Sequence, residues 1–588
     1  MSLKKSTFVY SFLLFCTLFC LWGQNKGTDL SRRQPDWVAV LGGNLLCEPV
    51  QTEAGYVAVG EGKMLHSFTG DGKILWQKGF SKRLSPFVTS GVGGMLYVVT
   101  GGSKLDMLNP GGTPLWTSDT GFNIENAPLA GRDGRVFVRG RDALACYGLN
   151  GKRRWILKIK GQNIQLPVTT LNDGSLLVFL DRTAEGNKSV AITVTPFGDS
   201  SEEITFAGKV IQSVPCKDGA LLSFSDSSLG MVSSDKGKAF SKWTLPPQKS
   251  GITGPAKIAC CHGENKAWAV WGTPATLTLF RTADGTVSRT FTSSVRSAKE
   301  LKMYSPLSKS IVLADANRAA CFDEQGETLW NIDRLPPKDW NFALFTDTGY
   351  ITLCTRSWVL EGYRIVQSLS TQKPKAPKKN VSSYREFYDK TPPKSDSITG
   401  AAINADKAKE IERAFSKGDF GEKEHEWLAV LEAEISKMRS DWLSESWDYT
   451  VKKPYFKANV PYNATILSLC AKSGISLGQE NIPSLLKSCD DPTVMISLVR
   501  YAAEAKFDPE GQILYTLDYI ARNKARSDDS TLLCEIAAAC TQICLFMGRP
   551  AFFSQGRALL TYMMYPQFSS KVRDTARACL EQIASSGL

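Results

Sequence analysis

A glycine stands four residues ahead of a tryptophan in four stretches of this chain: Gly72 and Trp76 in "DGKILW", Gly112 and Trp116 in "GGTPLW", Gly151 and Trp155 in "NGKRRW", Gly326 and Trp330 in "QGETLW". The first three recur at roughly forty-residue intervals, a period that belongs to repeat architectures. The units share one plan. Each begins near a proline (Pro49, Pro86, Pro128, Pro167, Pro215, Pro255, Pro306) and passes a turn such as Gly55, Gly94, Gly134, Gly174 or Gly219. Short runs follow, among them "YVAVG", "MLYVVTG", "RVFVRG" and "SLLVFL", in which β-branched and aromatic residues bounded by turn formers read as strands. The unit is therefore four short antiparallel strands, the blade of a β-propeller. One such unit cannot bury both faces, whereas a closed ring can. The tryptophan is expected to wedge against the neighbouring blade, and the glycine to permit the turn that aims it.

Inner hairpins begin near Cys47, Ser85, Ala127, Leu166, Val214, Pro255, Ser305 and Phe342, which makes eight. Tryptophan strands follow the first seven, at Trp76, Trp116, Trp155, a degenerate Ile204, Trp243, a degenerate Thr290 to Phe291, and Trp330. One tryptophan strand, "DWVAVLGG" with Trp37, is left over at the front. It is expected to close the ring as the outer strand of the eighth blade; seven blades is the alternative.

These repeats resemble the pyrroloquinoline-quinone-like (PQQ-like) propeller repeat. That repeat occurs both in quinoprotein alcohol dehydrogenases and in the propeller lipoprotein of the outer-membrane β-barrel assembly machinery. The resemblance covers about residues 37–370 and implies a fold more than a function, because the shared residues dock blades. The dehydrogenase relatives hold a quinone and calcium on inserted loops and place a vicinal disulfide against the cofactor. Cys260 and Cys261 in "KIACCHGEN" are the one local likeness to that arrangement. Read from the residues alone, they point to opposite faces of a strand and pack as small apolar groups. No set of Glu, Asn and Asp for calcium is recognisable nearby.

Other chemistry is not assembled. The glycines of "GVGG" and "GGSKLD" precede no helix and read as hairpin turns. Asp71, Asp133, Asp173, Asp218 and Asp284 recur beside glycine as tight turns prefer, spread over separate blades. Thirteen cysteines follow Cys20, an odd number without any CxxC pair, which argues against a disulfide framework or zinc site and for buried apolar packing. His66, His262 and His425 are the only histidines and lie far apart. No catalytic, cofactor-binding or metal-ligating residue is assigned, and no cofactor is expected.

A chain of 588 residues exceeds one hydrophobic core. Its net charge of +12, from 70 basic and 58 acidic residues, is too mild and dispersed for a nucleic-acid footprint. Lys4 and Lys5 precede the apolar run "FVYSFLLFCTLFCLW", so residues 1–24 read as a signal peptide or membrane anchor. Residues 371–400, with Lys373, Lys375, Lys378, Lys379, Pro374 and Pro377, read as a basic linker that could also touch anionic lipid.

Residues 401–588 are helical in pattern. Trp427, Leu431, Ile435, Met438 and Trp442 form one apolar stripe. "DPTVMISLVRYAAEAKF", capped by Asp491, and "SSKVRDTARACLEQI" are loosely similar to HEAT-type helices. The expected architecture is an eight-bladed propeller over 37–370 followed by a HEAT-like solenoid, two blocks that fold separately about the linker. The expected role is a noncatalytic, exported, periplasmic or membrane-associated scaffold for protein partners, and the resemblance implies outer-membrane or envelope biogenesis as its setting; the alternative is a quinoprotein dehydrogenase.

Overall fold

The computed structural model describes residues 28–131, 133–159, 162–184, 188–261, 265–293, 295, 302–304, 310–315, 317–336, 340–345, 349–365, 405–417, 424–445, 465–474, 479, 482–489 and 492–586. Residues 1–24, the linker 371–400, His262 and Asp491 lie outside them.

Eight sheets form the ring. Blades 1 to 7 start at Val50, Leu84, Leu129, Thr169, Val210, Lys257 and Lys302, each as antiparallel strands A to D in chain order from the inside outward. Blade 8 takes strands A to C from Trp340–Phe345, Tyr350–Thr355 and Val359–Arg364, and strand D from Trp37–Val40. Trp37 stands opposite Gly362 and Val40 opposite Val359. Eight blades closed by strands from both ends of this block is the arrangement expected from Trp37. One addition was not foreseen: Thr28–Asp29 lies parallel to the outer strand of blade 7 as a fifth strand.

The tryptophans wedge against the neighbouring blade as expected, and the turn glycines have a second role: each lies under an aromatic ring of the preceding blade. The Trp76 indole lies on Gly112 and donates to the Pro110 carbonyl at 3.0 Å. Trp116 lies on Gly151 and donates to Leu149 at 2.8 Å; Trp155 lies on Gly198 and donates to Pro196 at 2.8 Å; Trp243 lies on Gly285 and donates to Thr282 at 2.8 Å. Trp37 lies on Gly72 across the closing seam, and Phe291 does the same work on Gly326. Gly151 illustrates the constraint. Its φ is +74°, and a Cβ there would come within 2.6 Å of the Trp116 ring. Any side chain is excluded by backbone conformation and by the ring at once.

Blade 4 has no tryptophan, and polar groups clasp its seam with blade 5 beside a shared apolar core that includes Phe206 and Phe224. Asn172 exchanges hydrogen bonds with the Ser234 backbone at 2.8 and 2.9 Å, and the Asp173 carboxylate accepts from the Gly237 amide at 3.0 Å and from the Ser234 hydroxyl. The seam between blades 5 and 6 corrects the cysteine reading. Cys216 and Cys260, on neighbouring inner strands, are joined by a disulfide with Cα atoms 5.8 Å apart. Beside it Gln212 bonds both to the Ile258 amide at 3.0 Å and to its carbonyl at 3.2 Å. Most remaining described cysteines are buried, as expected of small apolar groups.

The helices after Ala405 form two layers. Pro492–Ala505, Ser530–Met547 and Ser570–Ser585 lie side by side, with Ile482–Ser488, Gln512–Asn523 and Pro550–Met563 as the second row. Ser530–Met547 is long and apolar enough to cross a membrane, yet it is the central helix of the stack with Leu533, Ile536, Cys540 and Ile543 buried. Trp427, Leu431 and Ile435 of the expected stripe are buried on Glu424–Glu445; the Met438 and Trp442 side chains lie outside the described set.

The two blocks are not separate bodies. Blade 2 and 3 residues such as Met95, Tyr97, Val138 and Tyr147 belong to the same apolar core as Phe415, Leu428, Phe507 and Met547.

Trp116 is partly buried, so removing its ring should cost up to about 3 kcal/mol of unfolding free energy, the low end for large aromatics. Gly151→Ala should destabilise too, and the two changes should be non-additive because they meet at one seam. Additive losses in denaturant melts would place the ring and the glycine in different contacts.

Candidate functional site

The most heavily charged buried site in the described residues is the junction between propeller and helices. In blade 3 the residue after the A–B turn glycine is Arg135, where blades 1 and 2 carry Tyr56 and Met95. The start of its strand D supplies Arg154. Both guanidinium groups are fully buried and converge on Glu424, the first residue of Glu424–Glu445, itself 1% exposed in its side chain. Arg154 Nε and Nη2 lie 3.0 and 2.9 Å from Glu424 Oε1, and Arg135 Nη1 lies 3.3 Å from the same oxygen. A carboxylate at a helix N-terminus is also favoured by the helix dipole.

Arg135 carries further partners. Its Nε is 2.7 Å from Asp133 Oδ2, its Nη1 donates to the Pro196 carbonyl at 2.8 Å, and its plane stands 4.8 Å from the Phe197 ring centre. The Pro196 carbonyl is the one that accepts the Trp155 indole, so the blade 3–4 seam and the junction share an acceptor. Burial pulls the Arg135 pKa down, but Glu424 and Asp133 outweigh that and hold it above the ordinary arginine value. Arg154 is shifted the other way, chiefly by burial, with Glu424 opposing and the neighbouring Arg135 adding to the fall.

Backbone contacts extend the junction. Asn109, in the C–D turn of blade 2, donates to the Leu545 carbonyl at 3.1 Å and so caps the end of Ser530–Met547. Arg549 Nη2 donates to the Gly93 carbonyl at 2.5 Å, while its Nη1 is 2.8 Å from Glu53. Gly93 has φ +72°, and a Cβ would stand 3.0 Å from the Phe507 ring. The Leu149 amide donates to the Gly474 carbonyl. All these propeller residues lie on A–B or C–D turns of blades 1 to 4, or at a strand end beside one. The helices therefore cover one face of half the ring, and the B–C and D–A loops on the other face take no part in these contacts.

The residues considered at the sequence level fall elsewhere. Cys260 is bonded to Cys216 and Cys261 is buried toward blade 7, so the pair is neither a vicinal disulfide nor two packing thiols. The five turn aspartates serve their own surroundings: Asp71 accepts from Thr69, Asp218 from Thr282, Asp284 from Thr286, and Asp133 and Asp173 as above. Among the described residues no group of three or more His, Cys, Asp or Glu could hold a metal ion. Arg135, Arg154 and Glu424 were not singled out from sequence. The available signal was an arginine in blade 3 where earlier blades have an apolar residue, and a basic pair in "GKRRW" facing a strand that is otherwise apolar.

With this geometry in place, the chain can be set beside known proteins. Residues 25–194 match the family model described as outer membrane protein assembly factor BamB. Among solved structures, BamB from Moraxella catarrhalis is 11% identical, with 56% of this chain and 99% of that one covered at a TM-score of 0.39. AztD from Citrobacter koseri, in its apo form, is 12% identical over 53% of this chain and 94% of that one, at 0.40; Sqt1 from Saccharomyces cerevisiae is 10% identical over 56% and 98%, at 0.39. No curated protein matches the chain. The matched residues 25–194 of the propeller are thus similar to the PQQ-like repeat.

Glu424→Gln should cost about 3–5 kcal/mol, because two buried guanidinium groups lose their carboxylate. Replacing Glu424 and Arg154 together by methionine should cost less than the single change. Equal losses, read from unfolding midpoints, would mean that the ion pair does not hold the junction. His66 offers a pH test. It is buried in blade 1 with Gln77 3.2 Å from its Nδ1, and burial lowers its pKa below 6.5. A folded pKa below the unfolded one gives stability that is complete above about pH 6.5 and is lost as pH falls further, at up to about 1.4 kcal/mol per pH unit. His66→Gln should flatten that slope between pH 7 and 5; an unchanged slope would assign it to other groups.

Proposed function

We propose that this protein is a noncatalytic protein–protein interaction scaffold of the bacterial cell envelope, exported and membrane-associated, working in outer-membrane or envelope biogenesis. The observation that carries the reading is the use made of the charged junction. Its buried arginines and glutamate hold two modules together, with the described helices on one face of blades 1 to 4. A rigid two-module body presents a broad surface to partners, and its most heavily charged buried site among the described residues joins the modules. The paired helical layers fit a HEAT-like solenoid, a common binding architecture.

Two observations support the setting. The match of residues 25–194 to the BamB family model favours the envelope. The Cys216–Cys260 disulfide suits an oxidising compartment. The quinoprotein alternative loses its one local support, because Cys260 is committed to Cys216 on another blade.

The test is lysine crosslinking in intact cells, followed by mass spectrometry of the full chain. Exposed Lys63, Lys82, Lys158, Lys188 and Lys209 lie on or beside the B–C and D–A loops and report on that face. Crosslinks from these positions or from the helical stack to envelope proteins are expected. An absence of protein partners together with saturable binding of pyrroloquinoline quinone would replace the scaffold by an enzyme.

A further inference from the structure

Blade 8 presents apolar side chains to solvent where the other blades present few. On its outer strand Val38 is 55% and Val40 70% exposed, while Trp37 and Ala39 alternate inward against the core. Val40 stands opposite Val359, and the Leu41 amide donates to the Trp358 carbonyl at 2.7 Å, which places Trp358 beside the end of that strand. Trp358 sits in the B–C turn with φ +68° and is 53% exposed. A tryptophan more than half exposed and held in the left-handed region, where side chains are disfavoured, costs stability that its packing only partly offsets.

The chain leading into this edge is short. Thr28 is fixed beside Ile332 on the outer strand of blade 7, and only five residues separate it from Trp22, the end of the apolar run that starts at Phe8. The six Cα-to-Cα steps between them reach at most about 20 Å. An apolar segment seated in a bilayer would therefore keep the outer edges of blades 7 and 8 close to the headgroups. Indole rings favour that interface, and valines beside them add apolar area.

We propose that the outer edge of blade 8, through Val38, Val40 and Trp358, rests in the interfacial layer of a phospholipid bilayer, so that the propeller lies edge-on to the membrane. This rests on the reading of Phe8–Trp22 as the membrane attachment. The helical stack meets A–B and C–D turns, whereas Trp358 sits on a B–C turn, so the stack and Trp358 lie on opposite faces of the ring.

The experiment uses the full chain in vesicles of phosphatidylethanolamine and phosphatidylglycerol doped with a photoactivatable lipid, with labelled peptides mapped by mass spectrometry. Label is expected in 8–22, in 37–41 and in 356–360. The variant Val40→Thr with Trp358→Asn, which keeps a strand former and a residue tolerant of positive φ, should lower blade 8 labelling several-fold and leave 8–22 unchanged. Label confined to 8–22 would overturn the edge-on orientation while keeping the attachment. Absence of label everywhere would overturn both. Blade 8 labelling that the variant does not reduce would overturn the role of these side chains.

Discussion

The ring depends on an aromatic ring laid over a glycine of the next blade. The contact buries a large apolar surface and, at four seams, satisfies the indole N–H with a carbonyl just upstream of that glycine. It recurs because each blade both gives and receives: Gly112 accepts Trp76, and four residues later Trp116 is passed to Gly151. Closure follows from the same contact when Trp37 is laid on Gly72. Seams without it need substitutes, and the Asn172–Asp173 clasp and the Phe291 ring on Gly326 supply them.

That frame sets where the helices can dock. The turns that receive the tryptophans are C–D turns, so the face carrying them is held rigid at blades 2 to 4. Asn109, Leu149 and Phe197 belong to these turns, and all three touch or border the helical region. The Pro196 carbonyl makes the dependence explicit, since it accepts from Trp155 for the seam and from Arg135 for the junction. Buried charges are costly unless paired, and here the pairing joins residues 289 positions apart, Arg135 and Glu424.

Much of the architecture was legible from local pattern. The blade period, the eighth strand donated by Trp37 and the helical texture after the linker are each written within short windows, where turn residues and hydrophobic period speak directly. What was not legible lies between windows. The Cys216–Cys260 bond joins positions 44 apart that meet only because inner strands of adjacent blades are neighbours. Glu424 looks like any acidic residue opening a helix, and Arg154 like any basic residue before a tryptophan, until the fold buries them together. The tryptophan's contact with the neighbouring blade is legible from the repeat, but the partner glycine under its ring is not, because a single repeat does not display its neighbour's ring.

Propeller and helices form one mechanical body through the Arg135–Arg154–Glu424 junction. Native-state hydrogen exchange on the full chain reads this out, because it gives an opening free energy for each element. The amides of Ser530–Met547 and of blade 2 and 3 strands are expected to open together, with the same free energy and the same denaturant dependence. Helical amides that open at a lower free energy, while those blades stay protected, would contradict it.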